Sequence, residues 1–400
     1  MRPRQSNTRP RLAGAALLVV ALAVELVDEL VDGTKGAAFP LIRHDLALSY
    51  GQVGLLASAP LVLGGLLEAP IGLLAGHGRR RYRAILAGGV MFVAALIGAA
   101  AARSFATLLI AFVAFFPASG AFVGLTQSGL MDSDPGRQEQ HMARWTLAGS
   151  VGAVSGPIVL VAVLAAGGTW RAAYLLLAAF AAVAWLGAVR AGPRGEQPSA
   201  AGGSGPSSKT AAARRALSAL RQREVVRWIV FLEVCDLLLD VLTGFLALYF
   251  VDVVHATPAQ AALGVAVRVG AGLAGDVVLI WVLDRVGGLR VLRASAAAAA
   301  VLYPAFLLVP GMVPKLLLLA VLSAATAPWY PVTTAQLYRS LPGQSDVAVS
   351  LTSVAGLAGG LGPLVVGFLA QRVGLAFALA CLTVAPISLL CGMGRRRKAD

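Results

Sequence analysis

Residues Glu25 to Gln52 read ELVDELVDGTKGAAFPLIRHDLALSYGQ, and the organisation of the whole chain follows from this stretch. Apolar residues run up to it from Leu17, as in a helix that spans a membrane. Yet Glu25, Asp28, Glu29 and Asp32 fall within eight residues of one another. A carboxylate at the centre of a bilayer costs about 2.5–3.5 kcal/mol on insertion scales, so such residues mark a pathway or a proton relay. At helical spacing the four acids share a sector of about 100° and form one stripe.

The pattern returns 208 residues later: Glu233, Asp236 and Asp240 repeat the spacing of Glu25, Asp28 and Asp32. In the same register Gly36 meets Gly244, Ser49 meets Thr257, Gln52 meets Gln260 and Glu68 meets Asp276. Four acid pairs at one offset indicate an internal duplication, and the acids are part of what was duplicated.

Composition sets the class. The chain of 400 residues is 58% hydrophobic and only 13% charged, with a mean hydropathy of +0.79. A soluble domain carries about 25% charged residues, so this is an integral membrane protein. The net charge of +14 could suggest nucleic acid, but its placement argues against that partner. Of the 33 Lys and Arg, 26 fall on the cytoplasmic side of the expected topology, 5 outside and 2 within helices. That is the positive-inside asymmetry. Cys235, Cys381 and Cys391 lie in apolar segments without C-x-x-C spacing and read as small hydrophobes. Four arginines (Arg2, Arg4, Arg9, Arg11) before an apolar run ending at Ala21–Ala23 imitate a signal peptide. Cleavage there would remove half of a helix whose acid face is matched later, so the segment is read as a retained first helix.

Twelve spans follow. Helix 1 is expected over Gly14–Ala38, closed by Pro40, with an outer loop holding Arg43, His44 and Asp45. Helices 2 to 6 are expected over Gln52–Gly76, Ala84–Ala102, Ala106–Leu130, Ala143–Ala166 and Trp170–Val189. Each is long enough, or nearly so, for a hydrocarbon core of about 30 Å. Residues 1–190 form the first six-helix half. A linker over 191–224 begins AGPRGEQPSAAGGSGPSS and continues through a basic amphipathic segment, Lys209–Arg223, suited to anionic lipid or to solvent. Residues 225–400 form the second half, with helices 7 to 12 over Val226–Val251, Pro258–Leu283, Leu289–Val309, Lys315–Tyr338, Val347–Ala370 and Leu375–Met393. Both termini are then cytoplasmic, in a cell membrane.

With these residues in view, the chain resembles the major facilitator superfamily over essentially its whole length. The resemblance implies an all-α fold of twelve helices in two pseudo-symmetric halves, and parallel repeats are a known transporter device. The loop VLDRVGG (Val282–Gly288), with Asp284 and Arg285, is similar to the family's D-R-x-G gating loop. The matching first-half loop, GLLAGHGRRR from Gly72, keeps the glycine and the basic run, but Gly76 stands where the register puts Asp284. GAVSGP, ending in Gly156 and Pro157, is similar to the G-x-x-x-G-P motif of proton-driven drug exporters, and GGLGP, ending in Gly362 and Pro363, matches it in helix 11. Packing alone also explains both, because small residues let membrane helices approach and proline kinks one.

Depth sorts the acids. At about 1.5 Å per residue from Arg227, Glu233 lies roughly 9 Å in and Asp240 roughly 20 Å. From Asp284, Asp276 lies roughly 12 Å in and Arg268 roughly 24 Å. Glu233 with Asp276, and Glu25 with Glu68, are therefore candidate proton-holding pairs, since two close carboxylates in low dielectric do not both ionise. Asp240 shares a layer with Arg268, and Asp32 has Lys35 at i+3. Nine helix-embedded acids face two bases, Lys35 and Arg268, a surplus of −7 if all ionise. Protons, a cationic substrate or a metal must balance it. Some acids can instead hold helices together. Arg268 suits either a structural partner of Asp240 or a site for an anionic group; its first-half counterpart is Pro60. Gln127, Gln336, Tyr330 and Trp329 are cavity candidates, although packing or interfacial anchoring also explains each.

The sequence thus points to a proton-coupled secondary transporter, with protons as the coupling ion and no other cofactor. It is expected to act as a monomer in the bilayer, exporting a cationic or amphipathic small molecule by alternating access. The alternatives are proton-driven uptake of a substrate whose anionic group Arg268 holds, a lipid flippase, and an acid-dependent membrane enzyme. No GxGD motif supports the last.

Overall fold

The computed structural model describes residues 8–75, 79–133, 138–192, 220–341, 351, 355–357 and 359–393. Those residues are helical, joined by short turns, with no strand among them. We number the rods in chain order. In the first half α1 is Thr8–Asp45, α2 Tyr50–Ala75 and α3 Arg79–Ala101. Rod α4 runs as Phe105–Ser119, a π-helical turn Gly120–Gly124, and Leu125–Ser133. Rod α5 is Gln138–Ala165 and α6 is Trp170–Ala191.

In the second half α7 runs as Arg223–Asp236, a π-helical turn Leu237–Val241, and Leu242–Asp252. Then come α8 (Pro258–Leu283), α9 (Gly288–Leu308) and α10 (Met312–Thr326 and Trp329–Ser340). Rod α11 is seen as Gly362–Val373. Rod α12 is Leu375–Ala380, a tight turn Cys381–Thr383, and Val384–Met393. Most of the linker, the Asp134–Pro135 loop and, around the start of helix 11, residues 342–350, 352–354 and 358 lie outside the described residues.

Among the described residues nine helices are long and apolar enough to cross a membrane. Rods α1, α2 and α7 are not in that set. Local chemistry sets the starts of α2 and α8 in the same way. Ser49 and Gln52 exchange side-chain and backbone hydrogen bonds at 2.9 and 3.2 Å, as do Thr257 and Gln260. The duplicated residues are thus a duplicated capping box.

One expected boundary is corrected. Pro40 does not close α1; it is buried within the helix, which runs on through Arg43, His44 and Asp45. A helical proline costs one backbone bond and crowds the carbonyl of residue i−4. Here that residue is Gly36, where even an added Cβ would meet nothing within 4 Å. The crowding has room to relax.

By its close contacts the chain divides into two units. One comprises Met1–Ala38 and Ala59–Ala201, the other Phe39–Ser58 and Gly202–Asp400. The facing ends of α1 and α2, however, join the helices of the second half.

Candidate functional site

In the first unit the acid stripe of α1 lies along the small-residue face of α5. A Cβ added to Gly149 would come 2.6 Å from Glu25 Oε1, and one on Gly156 would come 2.5 Å from Leu30 O and 2.6 Å from Thr34 N. A Cβ on Gly152 would collide with the Leu26 carbonyl and approach Glu29 Cβ at 3.0 Å, and Pro157 packs beside Gly33. The Thr34 hydroxyl lies 2.8 Å from Leu30 O and 3.0 Å from Gly156 O. Gly156 and Pro157, the exporter-like motif, are therefore the packing surface that receives α1.

Each α1 acid meets a different partner. Glu25 is buried, accepts a hydrogen bond from the Trp145 side chain and has Glu29 as a charge neighbour. Asp28 Oδ1 accepts from Ser119 Oγ at 2.8 Å, at the last residue before the π-turn of α4. Asp32 pairs with Lys35 at 2.5 Å, with the Asp32 side chain 58% exposed. Lys35 also borders a small cavity of about 10 Å³ with Pro60, Phe112, Phe115, Phe116 and Tyr174. The Tyr174 hydroxyl is buried without a hydrogen-bond partner. Glu68 and Gly72 lie on α2, but their side chains fall outside the described set, and so does the Glu25–Glu68 pairing.

In the second unit the acid stripe of α7 meets the glycines of α11. The Glu233 carboxylate lies against Gly359, with Asp236 Oδ2 3.8 Å from a Cβ placed there, and Gly362 packs on Val241 and Leu237. Pro363 stands in the first turn of α11 beside it, and a Cβ on Gly54 would approach the Pro363 carbonyl at 2.6 Å. Glu233 and Asp276 do not have each other as charge neighbours; Asp276 has Arg268 instead.

Arg268 is buried, and the charges of both Asp240 and Asp276 act on its guanidinium. Its Nη2 donates to the carbonyls of Leu238 and Leu239 at 3.0 and 3.4 Å. Asp240 itself is exposed within the π-turn.

The remaining expected residues scatter. Gln336 is buried, Gln127 is half-buried and Tyr330 is 58% exposed. Trp329 is fully buried and donates to Ser295 Oγ at 2.7 Å, which is a packing role. Asp284 is exposed at the C-terminus of α8, and Arg285 turns back to Trp281 O at 3.1 Å. The three cysteines are free. Among the described residues no cluster of three or more His, Cys, Asp or Glu could hold a metal ion.

Several site residues escaped the sequence reading. Arg43 Nη1 and Tyr50 Oη both reach Asp252 Oδ2, at 2.7 and 2.8 Å, and the Arg43 guanidinium stacks 4.1 Å over the Tyr50 ring. The Ser58 hydroxyl accepts from Leu364 N at 2.9 Å. Lys315 is a further buried base, giving its ammonium to Tyr249 Oη and to the carbonyls of Phe306 and Leu307. Its position at the start of an expected span hid it. Ser119, Trp145 and Thr243 carry no charge and gave no signal.

Such a helical membrane architecture, with an acid stripe repeated on α1 and α7, is that of a transporter. The sequence profile of the Major Facilitator Superfamily matches residues 22–251, and the chain belongs to that family. Solved structures agree on the fold. The nucleoside transporter NupG superposes with a TM-score of 0.77 at 12% identity, covering 96% of this chain and 100% of its own. A bacterial homolog of the human lysosomal transporter Spinster gives 0.75 at 16%, covering 97% of each chain. An auto-inhibited POT family peptide transporter gives 0.70 at 14%, covering 96% of this chain and 98% of its own. No curated protein sequence matches this chain significantly. It is a multi-pass membrane transporter, not an enzyme.

Proposed function

We propose that the chain is a proton-coupled transporter that exports a cationic or amphipathic small molecule by alternating access, as a monomer in the cell membrane with both termini cytoplasmic. The observation that carries this reading is the duplicated stripe Glu25–Asp28–Asp32 and Glu233–Asp236–Asp240 on two membrane helices. Clustered carboxylates in an apolar segment require protons or a cation for balance. Among the described residues Lys35 offsets Asp32 alone, Arg268 carries the charges of Asp240 and Asp276 and donates in part to backbone, and Lys315 gives its ammonium to a phenol and two carbonyls. That commitment of Arg268 weighs against uptake of a substrate whose anionic group it would hold. The polar loop Val282–Gly288, with Asp284 and Arg285, and its counterpart near Gly72 would act as gating loops on this reading.

The test is transport by the full chain in proteoliposomes under an imposed pH gradient. A panel of cationic dyes, small anions and a fluorescent lipid serves as substrate. Proton-driven accumulation of a cation, lost in Glu25→Gln and in Glu233→Gln, supports the proposal. Gradient-driven movement of anions or of lipid alone would replace it with one of the other readings.

A further inference from the structure

The π-turn of α7 asks for an explanation that the duplication does not supply. Within it the Leu242 N–H bonds the Leu237 carbonyl, five residues back instead of four. The Leu238 carbonyl thereby loses its ordinary α-helical donor. A buried carbonyl without a donor costs about 1–3 kcal/mol, so a wide turn inside an apolar segment needs donors from elsewhere. Two side chains supply them. Arg268 Nη2 from α8 reaches Leu238 O and Leu239 O, and the Thr243 hydroxyl donates to Leu239 O at 2.5 Å.

The first half is a natural control. At the duplicated positions α1 is continuous α-helix, and Pro60 stands where α8 has Arg268. Between the duplicated helices α1 and α7, the wide turn and the arginine are present together in one half and absent together in the other. Asp236 immediately precedes the turn and Asp240 lies in it. The geometry of the turn therefore sets where both carboxylates point.

We propose that Arg268 and Thr243 are positioning residues that hold the π-turn of α7 open and so aim Asp236 and Asp240, Arg268 acting through the helix backbone and not as a substrate ligand. The proposal rests on the transporter reading for its functional consequence, but not for its structural one. Small wide turns of this kind recur at functional sites because they reorient side chains without ending the helix. The charges of Asp240 and Asp276 compensate the guanidinium, which leaves its donors available to the carbonyls.

The experiment uses purified full-length protein carrying Arg268→Gln, Arg268→Lys or Thr243→Val. Amide hydrogen exchange is followed in peptides covering 237–246 and, as a reference, 288–308. Transport of ethidium is followed in proteoliposomes. Arg268→Gln and Thr243→Val should each speed exchange in 237–246 at least tenfold over the reference, and lower Vmax with KM within twofold of the original. Arg268→Lys, which keeps a donor, should restore more than half of both losses. Thr243→Val is nearly isosteric and keeps the test open should Arg268→Gln not fold.

Unchanged exchange in 237–246, with a KM raised tenfold or more in Arg268→Gln, would overturn the proposal and make Arg268 a substrate ligand. If the unsubstituted protein moves no ethidium, the cation reading fails, while the exchange result still decides the role of the two residues.

Discussion

The Ser119 hydroxyl on α4 donates to the Asp28 carboxylate on α1 at 2.8 Å. An acid in the middle of the duplicated stripe is thus tied to a neighbouring helix at the residue that precedes a π-turn. A hydrogen bond contributes about 0.5–1.5 kcal/mol net. Ser119→Ala should therefore cut transport several-fold at near-normal yield, and Ser119→Thr should retain most of it. Normal transport in Ser119→Ala, measured in the dye assay, would remove this bond from the mechanism.

The glycines of α5 make a graded prediction. A Cβ at Gly152 meets the backbone of α1, whereas one at Gly149 meets the movable end of Glu25. Overpacking against backbone costs about 1–3 kcal/mol. In detergent, Gly152→Ala should lower the melting temperature more than Gly149→Ala. The reverse order would contradict the packing described for α1 and α5.

Asp252 joins Arg43 and Tyr50 through one oxygen. Partly exposed ion pairs contribute about 0.2–1 kcal/mol, and neighbours that share a partner are not additive. Asp252→Ala should destabilise more than Tyr50→Phe. The double mutant of Arg43→Gln with Asp252→Ala should lose no more than Asp252→Ala alone. Additive losses on thermal melting would show the two side chains to be independent.

Tyr174 carries a buried hydroxyl without a partner. Removing such a group costs nothing in hydrogen bonding and relieves a desolvation penalty. Tyr174→Phe should leave the melting temperature unchanged or raise it. A clear fall would mean that the hydroxyl holds a water in the adjoining cavity, since one water needs little more than its volume.

The sequence made legible whatever is local or repeated. Charge placement and hydropathy gave the spans, and the offset of 208 residues paired the acids and the two capping boxes. Glu25 and Glu233 could be singled out because a carboxylate in an apolar run is conspicuous by itself. Their partners could not be read, because Trp145, Gly149 and Gly359 are ordinary residues whose role comes from another helix arriving beside them. Equal depth placed Glu233 level with Asp276, but depth leaves the azimuth free, and the charge that acts on Asp276 is that of Arg268. Pro40 reads as a terminator; its tolerance depends on Gly36 one turn earlier, which spacing shows only once the helix is known to continue.

The twin capping boxes bear on how the chain is made. Ser49 with Gln52, and Thr257 with Gln260, satisfy each other within four residues. Those bonds can form as soon as the segment leaves the ribosome, before any partner helix has been synthesised. The point at which the chain turns back into the bilayer after α1 and after α7 is thereby encoded locally. The acid-bearing helices, poorly inserting alone, can then be delivered as hairpins with the apolar helices that follow them. Each half begins its own biogenesis with the same instruction.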